Sequence, residues 1–534
     1  MTVAPSGQTS TPGRSRRLGE LIALLEARGL LRSVIPGGPT APGSVTVSGI
    51  AYDSRRIQGG ELFAALPGER VDGHDYAADS VGAGAGAVLG ERALPGLGVP
   101  QLLVERSRAA LALAAAWFYD FPSHRLGIVG ITGTDGKTTT CFLVRAILEA
   151  AGQPSGLVGT VDVLVGGQAR GNPARATTPE APELQGLLAE MVEAGDRFAV
   201  VESTSHGLAQ ERVGAIAYDV AVLTNIGHEH LEFHRTHEAY LTAKRTLFER
   251  LAAGPDNPDK GWGKHGIVNA DEESADAFAS AAREAGARLW SYGSPASADV
   301  RAVRLEETAR GLRVRVRTPR WEETIALRLA GRFNAHNALA AISAGEALDL
   351  DPAAIRAGLE ALPGVPGRME RVEAGQPFVV VVDYAHTPEA LATVLDNLAP
   401  LAAAGGGGLI AVFGSAGERD VLKRPMMGRV AGERCRLVVL TDEDPRGEDR
   451  VGILEQIAEG AERSGRRRGH DLLLVPDREA AIEAALEQAR PGDVVILAGK
   501  GHERTIEIGG GSMPWNEADA ARRALAVLGF RGHS

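Results

Sequence analysis

Cysteine is nearly absent: the 534 residues hold two, Cys141 and Cys435, far apart and outside any CxxC or Cys/His metal spacing. That excludes a disulfide framework and a cysteine-built zinc site. Cys141, in the helix expected after Gly136, reads as a buried structural thiol. Basic charge is also scarce, with 57 Lys and Arg against 68 Asp and Glu and a formal net charge of -11. A basic stripe for nucleic acid is therefore not expected, and any anionic substrate must be gripped locally. No apolar run reaches roughly eighteen residues, which excludes a membrane-spanning helix. The N-terminal MTVAPSGQTSTPGRSRR has basic residues but no apolar core behind them, so no secretory signal is read and a cytoplasmic location is expected. No repeat of short period is visible. What remains, 44% apolar and 23% charged residues, is the composition of an ordinary globular protein. Its length implies more than one core.

The informative stretch is LGIVGITGTDGKTTT, Leu126 to Thr140. Leu126, Ile128, Val129 and Ile131 suit a buried parallel strand, and Gly130, Gly133 and Gly136 open the backbone just before Lys137, Thr138 and Thr139. Glycines let successive N–H groups turn toward one anion, a helix starting near Lys137 adds its positive end, and Lys137 supplies a full charge for the outer phosphates. Thr138 is then placed to hold Mg²⁺. The ordinary P-loop has its first Gly where this chain has Ile131, so the match is to a variant. The bland alternative is a glycine-rich turn with an exposed lysine. The Gly-Lys-Thr tripeptide closing an apolar strand favours an ATP site.

Taken in order, residues 1–17 are rich in Ser, Thr, Pro and Gly and read as a disordered tail. LGELIALLEARGL is a helix, and SVTVSGIAYDSRRIQGGELFAAL reads as strands around a polar loop at Asp53, Ser54 and Arg55. A small domain is expected to close near residue 104. The helix SRAALALAAAWFYDF then leads into alternating strands and helices that signal a parallel sheet covered on both faces. An Arg-rich strand pair follows, then the helical LAGRFNAHNALAAISAGEALDL. DPAAIRAGLEALPGVPGRMERV reads as a connector. A second alternating unit runs through PFVVVVDYAHTPEALATVLDNL, LIAVFGSAG, RLVVLTDEDPRGE, DLLLVPD and DVVILAGKGHE, each strand ending in a polar or Gly-rich loop that forms part of a candidate binding rim.

Glu202 ends a predicted strand, and TNIGHEHLEFH, after another, carries His228, His230 and His234. A carboxylate and an imidazole beside a triphosphate suit Mg²⁺. Three histidines also suit zinc, but no helical HExxH pattern is present.

These segments together resemble the Mur ligase family of ATP-dependent peptide synthetases. The resemblance rests on DSRRIQGGELFAALPG, GTDGKTTT, ATTPE, ESTSHGL, TNIGHEHLEFHRTHEAYLTAKRTLF, GRFNAHNALAA, GRMERV, VDYAHTPEAL, VFGSAGERDVLKRPMMG and AGKGHE, in order from Asp53 to Glu503. It implies an α/β protein of three domains: a uridine-binding domain over 18–104, a P-loop parallel-sheet ATPase domain over 105–347 and a Rossmann-like amino-acid-binding domain over 348–534. It also implies a monomer that binds neither nucleic acid nor membrane. The activity implied is ATP- and Mg²⁺-dependent addition of a third, diamino acid to UDP-N-acetylmuramoyl-L-alanyl-D-glutamate in cell-wall synthesis. The dipeptide carboxylate becomes an acyl phosphate that the incoming amine attacks.

Carried over residue by residue, the resemblance assigns Gly133, Thr134, Asp135, Gly136, Lys137, Thr138, Thr139, Asn334, Asn337, Arg368, Asp383 and His386 to ATP. Ser54 contacts the uridine, and Thr177, Thr178, Thr204, Gln210 and Arg212 hold the muramyl-dipeptide. Arg419, Asp444, Arg446, Gly499 and Glu503 receive the amino acid. Thr138, Glu202, His230 and Lys244 form the metal set, with Lys137, Glu202, His230 and Lys244 as the catalytic group. Lys244 aligns with the lysine this family carbamylates, which turns a cation into a carboxylate for a second Mg²⁺; its plain alternative is a solvent-facing helix lysine.

The chain departs from the family at Asp135, often Asn, at Glu229, often Asp, and at Glu443-Asp444-Pro445-Arg446, where members that add meso-diaminopimelate usually show Asp-Asn-Pro-Arg. An ionised Asp444 cannot donate to a far-end carboxylate and attracts a far-end ammonium, with Glu443 adding to that preference. Arg446 pulls the other way unless it pairs with Asp444 or Glu448. The expected acceptor is therefore L-lysine or L-ornithine rather than meso-diaminopimelate. A folylpolyglutamate-synthase-like ligase shares the loop and architecture but is disfavoured by ATTPE and AGKGHE. A catalytically silent scaffold would have lost Lys137, Glu202 or Lys244, and all are present.

Overall fold

Short apolar runs that end in Gly, Ser, Thr or Asp become strands whose carboxyl ends carry the polar loops. The computed structural model describes residues 14–68, 71–171, 176–227, 231–252, 260, 262–308 and 311–531, with backbone alone for Leu231 and Glu232. They form two compact units, one running to Ala302 and including Val316–Glu322 and His336–Leu359, the other comprising Val303–Arg315, Glu323–Ala335 and the chain from Glu360 onward.

The first unit opens with a five-stranded sheet in the order Leu31–Ile35, Gln101–Val104, Ala87–Gly90, Leu62–Ala64, Ile50–Ala51, parallel except at its first pair. Helices Leu18–Ala27 and Ser107–Phe118 share its core with Ala181 and Ala189 of the helix Ala181–Glu193. The Ala-rich helix Ser107–Phe118 is apolar on nearly every side and is buried accordingly. Within the expected tail, Arg14 to Arg17 are docked. Arg16 and Arg17 pair with Val47 and Thr46, the Arg16 guanidinium lies 5.0 Å from the Trp117 ring centre, and Arg14 donates to Phe118 O at 3.2 Å. Ring stacking and free helix-end carbonyls hold a segment that has little to bury.

The larger sheet of this unit runs Gln168–Gly171, Asp162–Val165, Ser155–Val158, Phe198–Glu202, Gly127–Thr132, Val220–Leu223, His265–Asn269, Arg288–Gly293. From Ser155–Val158 onward the pairs are parallel. Gly127–Thr132 is central and wholly buried. Its carboxyl end, between those of Phe198–Glu202 and Val220–Leu223, is where loops from three strands meet. The expected connector contains the helix Pro352–Ala361, whose Ile355, Gly358 and Leu359 are buried. A Cβ on Gly358 would lie 2.4 Å from Ala146 O, so this helix packs against the one after the phosphate loop through an i, i+3, i+4 stripe.

The Arg-rich strand Gly311–Arg317, whose residues to Arg315 belong to the second unit, alternates buried Leu312, Val314 and Val316 with exposed arginines. A six-stranded sheet follows in the order Glu370–Arg371, Val379–Asp383, Val494–Ala498, Leu409–Phe413, Leu437–Leu440, Leu472–Leu474. All but the first pair are parallel. Helices Pro388–Ala404, Lys423–Arg434 and Arg450–Arg463 cover one face, and Arg478–Glu487 and Glu517–Val527 the other. Inserting Val494–Ala498 between the first two parallel strands collects the loops at Tyr384, Gly414, Thr441 and Gly499 along one edge.

Candidate active site

The loop after Gly127–Thr132 is built where only glycine fits. Gly133 has φ +148°, and a Cβ there would lie 1.8 Å from Thr224 Oγ1; Gly136 has φ +78°, and a Cβ would lie 2.2 Å from Asn337 Oδ1. Between them the backbone is pinned. Thr134 N donates to Asn225 O at 2.9 Å and Asp135 N to Asn225 Oδ1 at 2.8 Å, while Thr224 Oγ1 donates to Asp135 O at 2.6 Å. Thr134 Oγ1 accepts from Gly227 N at 2.7 Å and meets Tyr240 Oη at 2.8 Å. Lys137 begins the helix Lys137–Ala150, and its Nζ donates to Gly133 O at 3.1 Å and Thr134 O at 2.6 Å. Thr138 and Thr139 are buried in the first turn. Thr224, Asn225 and Tyr240 received no role from the sequence, although TNIG closing a strand was the available signal.

Glu202 is 1% exposed. It accepts from Thr138 Oγ1 at 3.1 and 3.2 Å on its two oxygens and from Thr160 N at 3.0 Å and Thr160 Oγ1 at 3.1 Å. Among the described residues no cationic side chain lies within 4 Å of it. A buried carboxylate with hydroxyls beside it and no protein cation is a donor set suited to a hard divalent ion. Thr160 was not foreseen as a partner. Lys244 is 2% exposed, not solvent-facing: its Nζ donates to Gly133 O and lies 4.5 Å from the Tyr240 ring centre. His230, with His228 and Glu229, lies outside the described residues. His234 stacks edge-on to Tyr240, with centroids 5.5 Å apart. Cys141 is buried, and burial pushes its thiol up, away from reactivity.

Next to Glu202 the structure gathers the expected threonines and arginine. Thr178 Oγ1 donates to Glu202 O at 2.8 Å and lies 3.0 Å from Thr204 Oγ1, and Thr177 Oγ1 lies 2.9 Å from Thr160 Oγ1. Arg212 donates to Thr178 O at 2.8 Å and to Gln210 Oε1 at 2.7 Å, and pairs with Glu180 at 2.9 Å. Ser54 starts a single helical turn capped by Asp53, which accepts from Arg55 N at 3.1 Å. Tyr52 Oη, donating to Glu183 at 2.8 Å, ties that segment to the helix Ala181–Glu193. Burial pushes the Glu183 carboxyl up.

Asn337 lies against Gly136 in the first unit, whereas Asn334, Arg368, Asp383 and His386 belong to the second. Asn334 Nδ2 donates to Ala330 O at 2.6 Å. Asp383 accepts from Met369 N at 2.8 Å and Ala385 N at 2.9 Å, Arg368 lies 4.9 Å from the Tyr384 ring centre, and His386 Nδ1 meets Tyr384 O at 2.9 Å. On the same edge Asp444 Oδ1 accepts from Lys500 Nζ and from Glu507 N, both at 2.9 Å, and Lys500, fully buried, also pairs with Glu503. Burial raises the Glu503 carboxyl. Arg446 pairs with Glu507 at 3.4 Å rather than with Asp444 or Glu448, because Arg424 holds Glu448 at 2.9 Å. Asp444 is thus not the unmatched charge the sequence suggested; Lys500, quoted in AGKGHE without a role, neutralises it. Gly499 has φ +100°, and Arg419 is exposed.

Three family models match the chain in succession: "Mur ligase family, catalytic domain" over residues 46–119, "Mur ligase middle domain" over 131–345 and "Mur ligase, glutamate ligase domain" over 367–501. The chain is similar to a UDP-N-acetylmuramyl-tripeptide synthetase of Roseiflexus sp. (strain RS-1), 49% identical over 92% of this chain and 97% of the relative. It is also similar to a UDP-N-acetylmuramoyl-L-alanyl-D-glutamate--2,6-diaminopimelate ligase of Solibacter usitatus, 40% identical over 94% and 98%. A solved structure of a ligase of that second name superposes with a TM-score of 0.66 at 29% identity, covering 97% of this chain and all of the other. A likeness that runs this far along both partners takes in the glycine loop, the buried carboxylate and the second sheet alike, and the chain belongs to the Mur ligase family.

Proposed function

We propose that this protein is an ATP-dependent peptide ligase that joins a diamino acid to UDP-N-acetylmuramoyl-L-alanyl-D-glutamate in the assembly of the cell-wall precursor. The observation that carries the reading is the buried pair of Thr138 and Glu202 at the head of the glycine loop, in a chain whose full-length relatives bear that activity in their names. Backbone N–H groups from Gly136 to Thr139 and the Lys137 ammonium receive the phosphates, those of Thr134 and Asp135 being held by Asn225, and Lys137 exchanges its loop carbonyls for phosphoryl oxygens. Thr138 and Glu202 would hold Mg²⁺, with His230 the further ligand implied by the family. When bound, the ion offsets charge on the transferring phosphoryl group.

Lys244, buried beside Gly133 on the helix His237–Glu249, is the carbamylation site, where a carboxylate would supply a second cation ligand. Ser54, Thr177, Thr178, Thr204, Gln210 and Arg212 bind the uridylated dipeptide, with Arg212 as the local anion clamp that an acidic protein needs. Asn334, Asn337, Arg368, Asp383 and His386 serve the nucleotide. Arg419, Asp444, Arg446, Gly499 and Glu503 surround the acceptor, whose free amine attacks the acyl phosphate. The reading includes a monomer working in the cytoplasm; among the described residues no helix is long and apolar enough to cross a membrane.

The test is incubation of the purified protein with UDP-N-acetylmuramoyl-L-alanyl-D-glutamate, ATP, Mg²⁺ and single amino acids, with the product weighed by mass spectrometry. A nucleotide product heavier by one diamino acid residue, with matching ADP release, is expected. ADP release without any such product, or glutamate addition to a folate, would refute the reading.

A further inference from the structure

In the first unit the residues assigned to the two ends of the nucleotide substrate sit on different elements, and the start of one helix reaches both sets. Ser54 opens the short turn Ser54–Arg56, which follows Ile50–Ala51, a strand at the edge of the five-stranded sheet. Thr177 and Thr178 lie just before the helix Ala181–Glu193. From the start of that helix two carboxylates reach in different directions. Glu180, the residue before the helix, pairs with Arg212 at 2.9 Å and faces Arg108 at 3.7 Å. Glu183, in the first turn, accepts from Tyr52 Oη at 2.8 Å and from Arg56 Nη1 at 3.2 Å. Glu180 therefore holds a residue of the dipeptide set, and Glu183 holds the residues on either side of Ser54.

The Glu183 side chain is 15% exposed, and both donors converge on its Oε1, while Oε2 is buried without a hydrogen bond among the described residues. Arg56 also lies 3.9 Å from Asp53 and 6.0 Å from the Tyr52 ring centre, so Tyr52, Asp53, Arg56 and Glu183 form a bracket around Ser54. Hydrogen bonds to a charged acceptor fix a direction and a distance, which apolar packing does not. Within its own sheet the turn is already folded: Asp53 caps it through Arg55 N at 3.1 Å, and Ile50–Ala51 pairs with Leu62–Ala64. What the bracket adds is a set separation between the turn and the helix. Resting on the ligase reading above, we propose that Glu183 is a positioning residue for the nucleotide substrate: through Tyr52 and Arg56 it sets the spacing between the uridine turn at Ser54 and the dipeptide threonines Thr177 and Thr178, so that one molecule meets both. Two subsites reinforce each other only when their separation matches the molecule that spans them, because the second contact is then made at high effective concentration. Glu183 acts through its protein partners and not on the reacting atoms.

The experiment compares full-length wild type, Tyr52→Phe, Glu183→Leu and the double variant. It measures kcat, KM for UDP-N-acetylmuramoyl-L-alanyl-D-glutamate and for ATP, and the inhibition constants of the two halves of that nucleotide, uridine monophosphate and N-acetylmuramoyl-L-alanyl-D-glutamate 1-phosphate. Each single variant should raise KM for the whole nucleotide by about tenfold, while kcat, KM for ATP and inhibition by each half stay within about twofold of wild type. The double variant should cost no more than Glu183→Leu alone, because Tyr52 acts through the same carboxylate. Loss of one subsite would weaken the matching half in step with the whole, and general damage to the fold would move KM for ATP as well. Either of those results, an unchanged KM for the whole nucleotide, or single costs that add in the double variant overturns the proposal. A wild type that forms no product from the whole nucleotide with any diamino acid overturns the ligase reading, and this assignment with it.

Discussion

Arg478→Met should destabilise the second unit more than any exposed change near the acceptor loops. Arg478 and Glu517 are buried, their side chains 1% and 0% exposed. The guanidinium donates to both Glu517 oxygens at 2.9 and 2.7 Å, to Asp442 O at 2.7 Å and to Ala498 O at 2.8 Å. Those two carbonyls belong to the loops that lead to Glu443 and Gly499. The variant leaves a buried carboxylate with Trp515 Nε1, at 2.6 Å, as its remaining donor, together with two carbonyls that have lost a partner. Breaking a buried pair costs about 3–5 kcal/mol, and each stranded carbonyl about 1–3 kcal/mol. The terms overlap, and a loss of about 4–6 kcal/mol is expected, a large part of the roughly 5–15 kcal/mol that holds a domain together. Urea unfolding followed by hydrogen exchange in the strands Leu437–Leu440 and Val494–Ala498 reads this directly, and KM for the acceptor amino acid should rise as the two loops loosen. Glu517→Leu should behave similarly, whereas the double variant Arg478→Met/Glu517→Leu, which buries no charge, should cost less than either single change. A single variant that loses under about 1 kcal/mol, or a double variant whose cost equals the sum of the singles, would refute the reasoning.

Gly133→Ala forces a side chain onto Thr224 Oγ1 at φ +148° and should weaken ATP binding by about tenfold or more, measured by calorimetry with a non-hydrolysable analogue; unchanged affinity would show that the loop does not cradle phosphate. Lys137→Ala should keep the far-UV circular dichroism of the wild type while losing ATP-dependent phosphate release, since its Nζ touches only loop carbonyls here. Lys244→Ala should be nearly inactive and partly restored by added short carboxylic acids, and full activity without them would exclude the carbamate. Burial, with Arg288 adding to it, lowers His265 from 6.5 to about 4. The unfolded chain therefore takes up more protons between those values, and stability should be complete above pH 6.5, fall with a slope approaching about 1.4 kcal/mol per pH unit toward pH 4, and level off below. Loss of that slope in His265→Gln, read by thermal melting across the window, checks the assignment.

Where a physical requirement is local, the residues of this chain announce it. The strand Gly127–Thr132, the turn glycines and the helix opening at Lys137 are contiguous, and each short apolar run ending in a polar residue marked a strand and the side of the sheet on which its loop opens. The resemblance carried by those motifs extended the reading to Glu202, Thr178, Thr204 and Arg212, which the structure brings together at the end of one sheet. The helix Pro352–Ala361 and the docked Arg16 were misread because their partners, Ala146 and Trp117, are distant in the chain.

Charge matching was the part that sequence could not decide. Lys500 reaches Asp444 across 56 residues because Val494–Ala498 is inserted within the sheet rather than added at its edge, and that insertion also sets Glu443 beside Gly499. Thr224 and Asn225 close over the glycine loop for a similar reason, the pairing of Val220–Leu223 with Gly127–Thr132. Residue types, spacing and local backbone freedom are properties of a segment and are written in its sequence. Which carboxylate is neutralised, and by which cation, depends on the order of strands, a property of the assembled chain, and distances of a few ångströms between loops decide it.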